Sequence, residues 1–195
     1  MCQRISLALI VFVLLVPQLQ GCVAAAAGAA TGGAVVARDR RTAGTILDDQ
    51  SIEIKANYAI ARHKELWKKS HISILSFNNV LLLVGQTPTE EYRKEIEAAV
   101  SEIPKVRRVH NEIQVEPPVS LATRSLDSWI TTQIKTKLIG SKTVSAARIK
   151  VITEDKVVYL MGLTTPEEEL TATEIARAIP QVDKVVQIFE REPSQ

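Results

Sequence analysis

The chain has 195 residues, 46% hydrophobic and 24% charged, with 24 basic against 22 acidic side chains. Such near-neutrality excludes a polyanion-binding protein that works through global charge, so any electrostatic function must come from local patterning. The two cysteines, Cys2 and Cys22, both lie in or beside an N-terminal apolar stretch, which excludes a disulfide from the rest of the chain.

Residues 1–21 read as an export signal, with Arg4 as the positive n-region, residues 5–16 as the apolar core and Pro17 as a break. An apolar core of about 12 residues falls short of the ~20 that a transmembrane helix needs, so a permanent span is the weaker reading. Leu19-Gln20-Gly21-Cys22 resembles a bacterial lipoprotein processing box, although Gln20 stands where a small residue is usual. An ordinary secretory signal followed by a free cysteine is the alternative. The resemblance implies that Cys22 becomes the first mature residue and carries a diacylglyceryl thioether and an N-acyl chain. At about 0.8 kcal/mol per buried methylene, three such chains make release from a bilayer very slow. Val23 follows the cysteine, which in lipoproteins of enteric type looks like an outer-membrane address. Losing Arg4 with the leader takes the 24 basic residues to 23 against 22 acidic ones, a net +1.

Residues 22–46 read as an Ala/Gly-rich tether rather than an independent helix, with an expected reach of about 25 to 30 Å, enough for the following domains to touch the bilayer. Arg38, Arg40 and Arg41 lie in it, either meeting lipid phosphates or forming a solvated cluster.

Two repeats follow. Gly85 and Gly162 are 77 positions apart and Pro104 and Pro180 are 76 apart, and each copy has an apolar run before the glycine, a Thr-Pro turn with acidic residues behind it, and an Ile-Pro stop. The first unit, residues 47–116, is predicted to open at Asp48-Asp49, which can cap a helix over about 52–62. Strands at 72–77 and 80–84 join through Asn78-Asn79. Thr87-Pro88-Thr89-Glu90 reads as a capping box, and Tyr92, Ile96, Val100 and Ile103 follow at helical spacing. Val109, Asn111, Ile113 and Val115 alternate as a closing strand. After a linker at 117–124, residues 125–191 repeat the plan: a helix over about 127–139, a hairpin joining 149–153 with 157–161, a capping box at Thr165-Pro166-Glu167-Glu168, and a strand through Val185 and Phe189. Residues 192–195 are a tail.

Val106, Val109 and Asn111, placed behind the glycine and its helix, resemble the BON domain, a bacterial module of periplasmic and membrane-associated proteins. With the processing box, Leu83-Val84-Gly85-Gln86, Trp129-Ile130-Thr131-Thr132 and Leu160-Met161-Gly162-Leu163, the chain from Leu19 to Phe189 resembles the dual BON-domain outer-membrane lipoproteins associated with division and outer-membrane stress. Gln187 replaces the asparagine in the second copy. The resemblance implies an α+β fold of two tandem α-β-β-α-β units, each with a three-stranded mixed sheet packed on two helices. It also implies anionic phospholipid binding, of phosphatidylglycerol or cardiolipin type, through the first helix of the second unit.

No catalytic set stands out. His63, His71 and His110 lie outside metal-ligand spacing of one another and of a cysteine, and there is no nucleophile elbow or phosphate loop. Glu90-Glu91 and Glu167-Glu168-Glu169 fall in first helical turns, where carboxylates stabilise the helix dipole. Neither an enzyme nor a cofactor is expected, and export with near-neutral charge argues against nucleic acid.

Residues 128–150 hold Lys135, Lys137, Lys142, Arg148 and Lys150 and no acidic residue. At about 100° per residue, Ile130, Ile134 and Leu138 form one core stripe, and Trp129 lies about 140° away from it. Thr132, Gln133, Thr136 and Ile139 lie between or beside these positions, with Lys135 and Lys137 on the flanks. An outward indole and isoleucine bordered by lysines suit a bilayer interface; an indole folded back over the sheet is the other possibility. In the first repeat, aligning Ile52, Ala56 and Ile60 with that stripe puts Ser51 opposite Trp129, and Trp67 aligns with Val144 as a packing residue. A protein-interaction adaptor, using strand edges or the first domain, is the competing functional class.

Overall fold

The computed structural model describes residues 39–191. The export signal, Cys22, most of the tether and the tail lie outside the described residues. The first repeat contains α1 (Ala43–Ala61), the short α2 (Lys64–Lys69), β1 (His71–Phe77), β2 (Val80–Thr87), α3 (Glu90–Ser101) and β3 (Arg108–Val115). The second contains α4 (Leu121–Ile139), a 3₁₀ turn at Ala146–Arg148, β4 (Ile149–Glu154), β5 (Val157–Thr164), α5 (Pro166–Arg177) and β6 (Lys184–Arg191). Each sheet pairs its hairpin antiparallel and its third strand parallel to the central one, in the orders β1-β2-β3 and β4-β5-β6. The fold is therefore the tandem α-β-β-α-β arrangement expected, with α2 added.

Both first helices begin earlier than the sequence suggests. Thr42 caps α1 by accepting from Thr45 N, and Ser120 caps α4 by accepting from Thr123 N. Asp49, read as a cap, is instead buried inside α1 and accepts from Asn78 N and Asn79 N at 2.8 Å each. Asp127 does the same in α4 for Asp155 N and Lys156 N, at 3.0 and 2.9 Å. These hairpin turns have positive φ at both central residues, the conformation that matches strand twist. A carboxylate thus ties each first helix to its own hairpin.

The second capping box forms as read, with Thr165 and Glu168 bonded reciprocally and Pro166 opening α5. In the first copy Thr87 ends β2, and Thr89 caps α3 by accepting from Tyr92 N. The glycines align these copies at 77 positions whereas the Thr-Pro pairs stand 78 apart, so the shared dipeptide marks different backbone positions. Trp67 is half exposed; Leu66 takes the core place that Val144 takes in the second repeat.

β2 is buried along its whole length. Leu81 and Leu83 face Ile52, Ala56, Ile60, Ile96 and Val100 on the helices, while Leu82 and Val84 join Phe77 and Val80 against Tyr159 and Met161 of the second sheet. The layers are helices, sheet, sheet, helices. A central strand covered on both faces needs an unbroken apolar run, which explains Leu81-Leu82-Leu83-Val84.

Polar contacts surround this shared core. Arg107 reaches Glu190 at 2.7 Å, and Lys150 reaches Glu53 at 2.7 Å. Arg40 and Arg41, read as tether residues at lipid phosphates or in solvent, are instead docked. Arg41 lies 3.9 Å over the Phe77 ring and pairs with Asp39 and Asp49, and Arg40 bonds Leu163 O and Glu168 of the second repeat. Asp39, Asp49 and Glu168 are nearly buried, and a buried carboxylate left unpaired is costly, so each takes up a guanidinium.

Glu154 lies at the same inter-repeat boundary, accepting from Gln86 Nε2 at 3.1 Å and Ser73 Oγ at 3.5 Å, and burial pushes its carboxyl up to about 7. His71 Nε2 is 3.6 Å away, but burial, helped by Arg124, lowers its pKa. At neutral pH that contact is therefore not an ion pair. The folded chain holds the Glu154 proton to higher pH than the unfolded chain does. The stability this gives is full below the ordinary value of 4.5 and is lost as pH rises through about 7. Glu154→Gln is expected to raise unfolding free energy at pH 8 by roughly 1–2 kcal/mol and to change it little at pH 4.5. Denaturant titrations at the two pH values check this, and equal effects at both would contradict it.

Candidate membrane-facing site

The face of α4 that carries the sequence-predicted residues is set by its buried side. Asp127, Ile130, Ile134 and Leu138 are buried, and the last three pack with Val151, Val158, Leu160, Ala172 and Ala176 in the second core. Trp129, directly before Ile130, is turned away from this stripe and is 45% exposed. Thr132, Lys135, Thr136, Lys137 and Ile139 are also exposed and Gln133 is partly so. The structure therefore brings all seven residues together on the outer side of one helix.

The chemistry of this face is more apolar than its composition suggests. Ser125, Ser128, Thr132 and Thr136 donate their hydroxyl protons to the carbonyls of Leu121, Arg124, Ser128 and Thr132. Back-bonded hydroxyls of this kind present methyl and methylene groups outward. Leu121, 77% exposed, and Ile139, 74% exposed, extend the apolar surface to both ends of the helix. Sequence reasoning missed Leu121 because it started the helix at Asp127. Its spacing of eleven residues from Thr132, about three helical turns, was the available signal.

The five cations of residues 128–150 divide. Arg148 pairs with Glu168 at 2.7 Å, and Lys150 pairs with Glu53. Among the described residues, Lys135, Lys137 and Lys142 have no ion-pair partner; Lys135 and Lys137 are exposed on α4 itself, and Lys142 is exposed in the loop that follows it. No group of three or more metal-ligating side chains occurs among the described residues, and no helix among them is long and apolar enough to cross a membrane.

The corresponding face of α1 differs. Its buried residues Asp49, Ile52, Ala56 and Ile60 match Asp127, Ile130, Ile134 and Leu138 one for one, so Ser51 takes the place of Trp129. Leu47, Ile54 and Tyr58 are exposed there, with Arg62 stacked 6.0 Å from the Tyr58 ring.

Two α-β-β-α-β repeats, each with a mixed three-stranded sheet and an aspartate tying helix to hairpin, define the class. The BON domain matches residues 48–117 and 126–190, and the chain belongs to the BON family. It is 37% identical over 172 residues to Outer membrane lipoprotein DolP of Haemophilus influenzae, covering 88% of this chain and 89% of that protein. It is 34% identical to a 21 kDa hemolysin of Actinobacillus pleuropneumoniae, covering 77% and 78% respectively. The Osmotically-inducible protein Y of Escherichia coli is 26% identical over 73% of this chain and 72% of its own length. These similarities place the chain among the dual-BON outer-membrane lipoproteins.

Proposed function

We propose that this protein is a non-enzymatic lipoprotein, held through Cys22 on the periplasmic face of the outer membrane, whose α4 binds anionic phospholipid and so supports envelope integrity at the division site. The observation that carries this reading is the half-exposed Trp129 on an apolar helix face flanked by Lys135 and Lys137, with Lys142 in the following loop, none of the three ion-paired among the described residues. An indole settles at headgroup depth, and lysine stems reach outward to phosphates. At about 1 kcal/mol per basic residue near an anionic surface, three lysines give only a few kcal/mol. A lipid anchor raises the effective concentration of the domain beside the bilayer and makes this weak contact sufficient.

Flotation of residues 39–195, which carry their own cores, on phosphatidylglycerol vesicles tests the site. Trp129→Glu is expected to weaken the apparent affinity for the vesicles by about tenfold, the equivalent of ~1.4 kcal/mol. Unchanged flotation would remove α4 as the contact.

The exposed Leu47, Ile54 and Tyr58 on α1 favour a second reading, an adaptor that holds an envelope protein through the first repeat. A single stoichiometric partner that is lost on Ile54→Glu and is indifferent to lipid would support it.

A further inference from the structure

The residue-for-residue match between the repeats exposes one place where they differ in kind. The hairpin pair Ile72 and Gly85 corresponds to Ile149 and Gly162, so Ser73 on β1 corresponds to Lys150 on β4. On the first helices, Glu53 corresponds to Thr131. Where β4 meets α1, Lys150 Nζ lies 2.7 Å from Glu53 and 2.8 Å from Ser76 O, and the junction is closed. Where β1 meets α4 the equivalent pair is Ser73 and Thr131, two short hydroxyl side chains. A pocket of about 450 Å³ opens there, lined by both together with Arg124, Lys135, His71 and Glu154. That volume falls within the range of small-molecule sites.

The groups left over in this pocket are donors. Among the described residues, Arg124 Nε is buried without a hydrogen-bond partner and the Lys135 ammonium has no ion-pair partner. The acids are engaged or muted. Asp127 accepts from the backbone amides of Asp155 and Lys156, and burial keeps Glu154 partly protonated at neutral pH. An orphaned buried N–H calls for an acceptor, and a guanidinium beside an ammonium suits a phosphoryl group.

We propose that the pocket between β1 and α4 binds a phosphate ester, whose phosphoryl oxygens accept from Arg124 and Lys135 while Ser73 and Thr131 border a substituent of glycerol size. Arg124, Thr131 and Lys135 lie on α4 between its buried stripe and the side that carries Thr132 and Ile139. The ester could therefore be the headgroup of a lipid lying against that side or a soluble glycerophosphate. Both present anionic phosphoryl oxygens as acceptors, the lipid as a diester and the soluble compound as a monoester.

Binding is linked to a proton. Glu154 is faced by His71 and Ser73 from β1, Gln86 from β2, Arg124 and Asp127 from α4, and Tyr159 from β5. An anionic phosphoryl group placed among them favours protonated Glu154 over its carboxylate, so affinity rises as pH falls through about 7.

Residues 39–195 titrated with glycerol phosphate and, separately, inorganic phosphate, followed by amide NMR, test the site. The expected result is saturable shifts at Ser73, Arg124 and Thr131 with glycerol phosphate, weakened at least tenfold by Arg124→Gln. The paired change Ser73→Lys with Thr131→Glu rebuilds the bridge of the closed junction and is expected to abolish the shifts while the thermal midpoint holds. Absence of saturable shifts, or shifts that survive the paired change, would overturn the proposal. Flotation on phosphatidylglycerol vesicles assigns the source. A loss with Arg124→Gln identifies a lipid headgroup, and unchanged flotation identifies a soluble ester. Trp129→Glu is expected to leave glycerol phosphate binding intact, so failure of the α4 lipid contact and failure of the pocket are distinguishable.

Discussion

Gly85→Ala is expected to destabilise the folded unit by about 4 kcal/mol, through backbone strain and a core-strand clash. For a unit of this size that is a fall of roughly 8–16 °C in thermal midpoint. Gly85 sits at φ +126, where side chains are strained, and a Cβ there would lie 1.9 Å from the carbonyl oxygen of His71. That oxygen belongs to β1, the strand paired with β2 through Ile72 and Gly85, so relief requires the hairpin to open. Opening it would expose the Leu82 and Val84 side of the inter-repeat core as well as the helix side. Gly162 provides the internal comparison. Its φ is not in the left-handed region, and a Cβ would lie 2.6 Å from Arg148 O, so Gly162→Ala is expected to cost about half as much. Thermal unfolding of the two variants, with amide exchange across β1 and β4, checks the order. Equal losses would mean that the left-handed backbone contributes nothing.

The repeat was legible because both copies meet the same local constraints: a glycine where two strands approach closely, a turn with two positive φ angles, and a helix closed by Ile-Pro. Periodicity found Ile52, Ala56, Ile60 and Ile130, Ile134, Leu138 because a helix on a sheet needs one apolar stripe. It did not find the helix starts. Residues 43–51 and 121–126 are less regularly apolar, and the acidic pair at Asp48-Asp49 resembles a cap. What holds Asp49 in the core is a turn almost thirty residues away, which spacing does not encode. The inter-repeat core left a trace in the unbroken apolar run of β2, but such a run says that both faces are covered without saying by what.

The α4 face was legible for a similar reason. Once three residues fix the buried stripe, the direction of Trp129 follows from helix geometry, and the structure turns it outward. Charge counting was less informative. Arg148 and Lys150 look the same in sequence as Lys135 and Lys137, yet they are taken up by Glu168 and Glu53. Their partners come from α5 and from the other repeat, and no window of sequence contains them.

The two helix-to-hairpin aspartates allow a graded expectation. Asp127→Ala leaves the amides of Asp155 and Lys156 without their acceptors, a loss of about 3 kcal/mol, the low end for two charge-assisted hydrogen bonds because the partly exposed turn regains water. Asp49→Ala removes more. Its carboxylate serves Asn78 N and Asn79 N, accepts from Ser76 Oγ at 2.7 Å, and pairs with Arg41 Nη1 at 2.7 Å. Arg41 is itself nearly buried over Phe77, and burial alone would disfavour its charge; Asp39 and Asp49 offset that and hold its pKa above the ordinary value. Removing Asp49 strands part of that charge and two turn amides together, so Asp49→Ala is expected to cost about 4–5 kcal/mol. Phe77 belongs to the inter-repeat core, so the loss of Asp49 also loosens the contact between the sheets, whereas the hydrogen bonds lost with Asp127 lie within its own repeat. Denaturant unfolding should show Asp49→Ala with the lower midpoint, and Arg41→Met added to it should recover part of the difference by removing the stranded charge. If the second substitution instead deepened the loss, Arg41 would be stabilising through its stacking on Phe77 rather than through its pairing with Asp49.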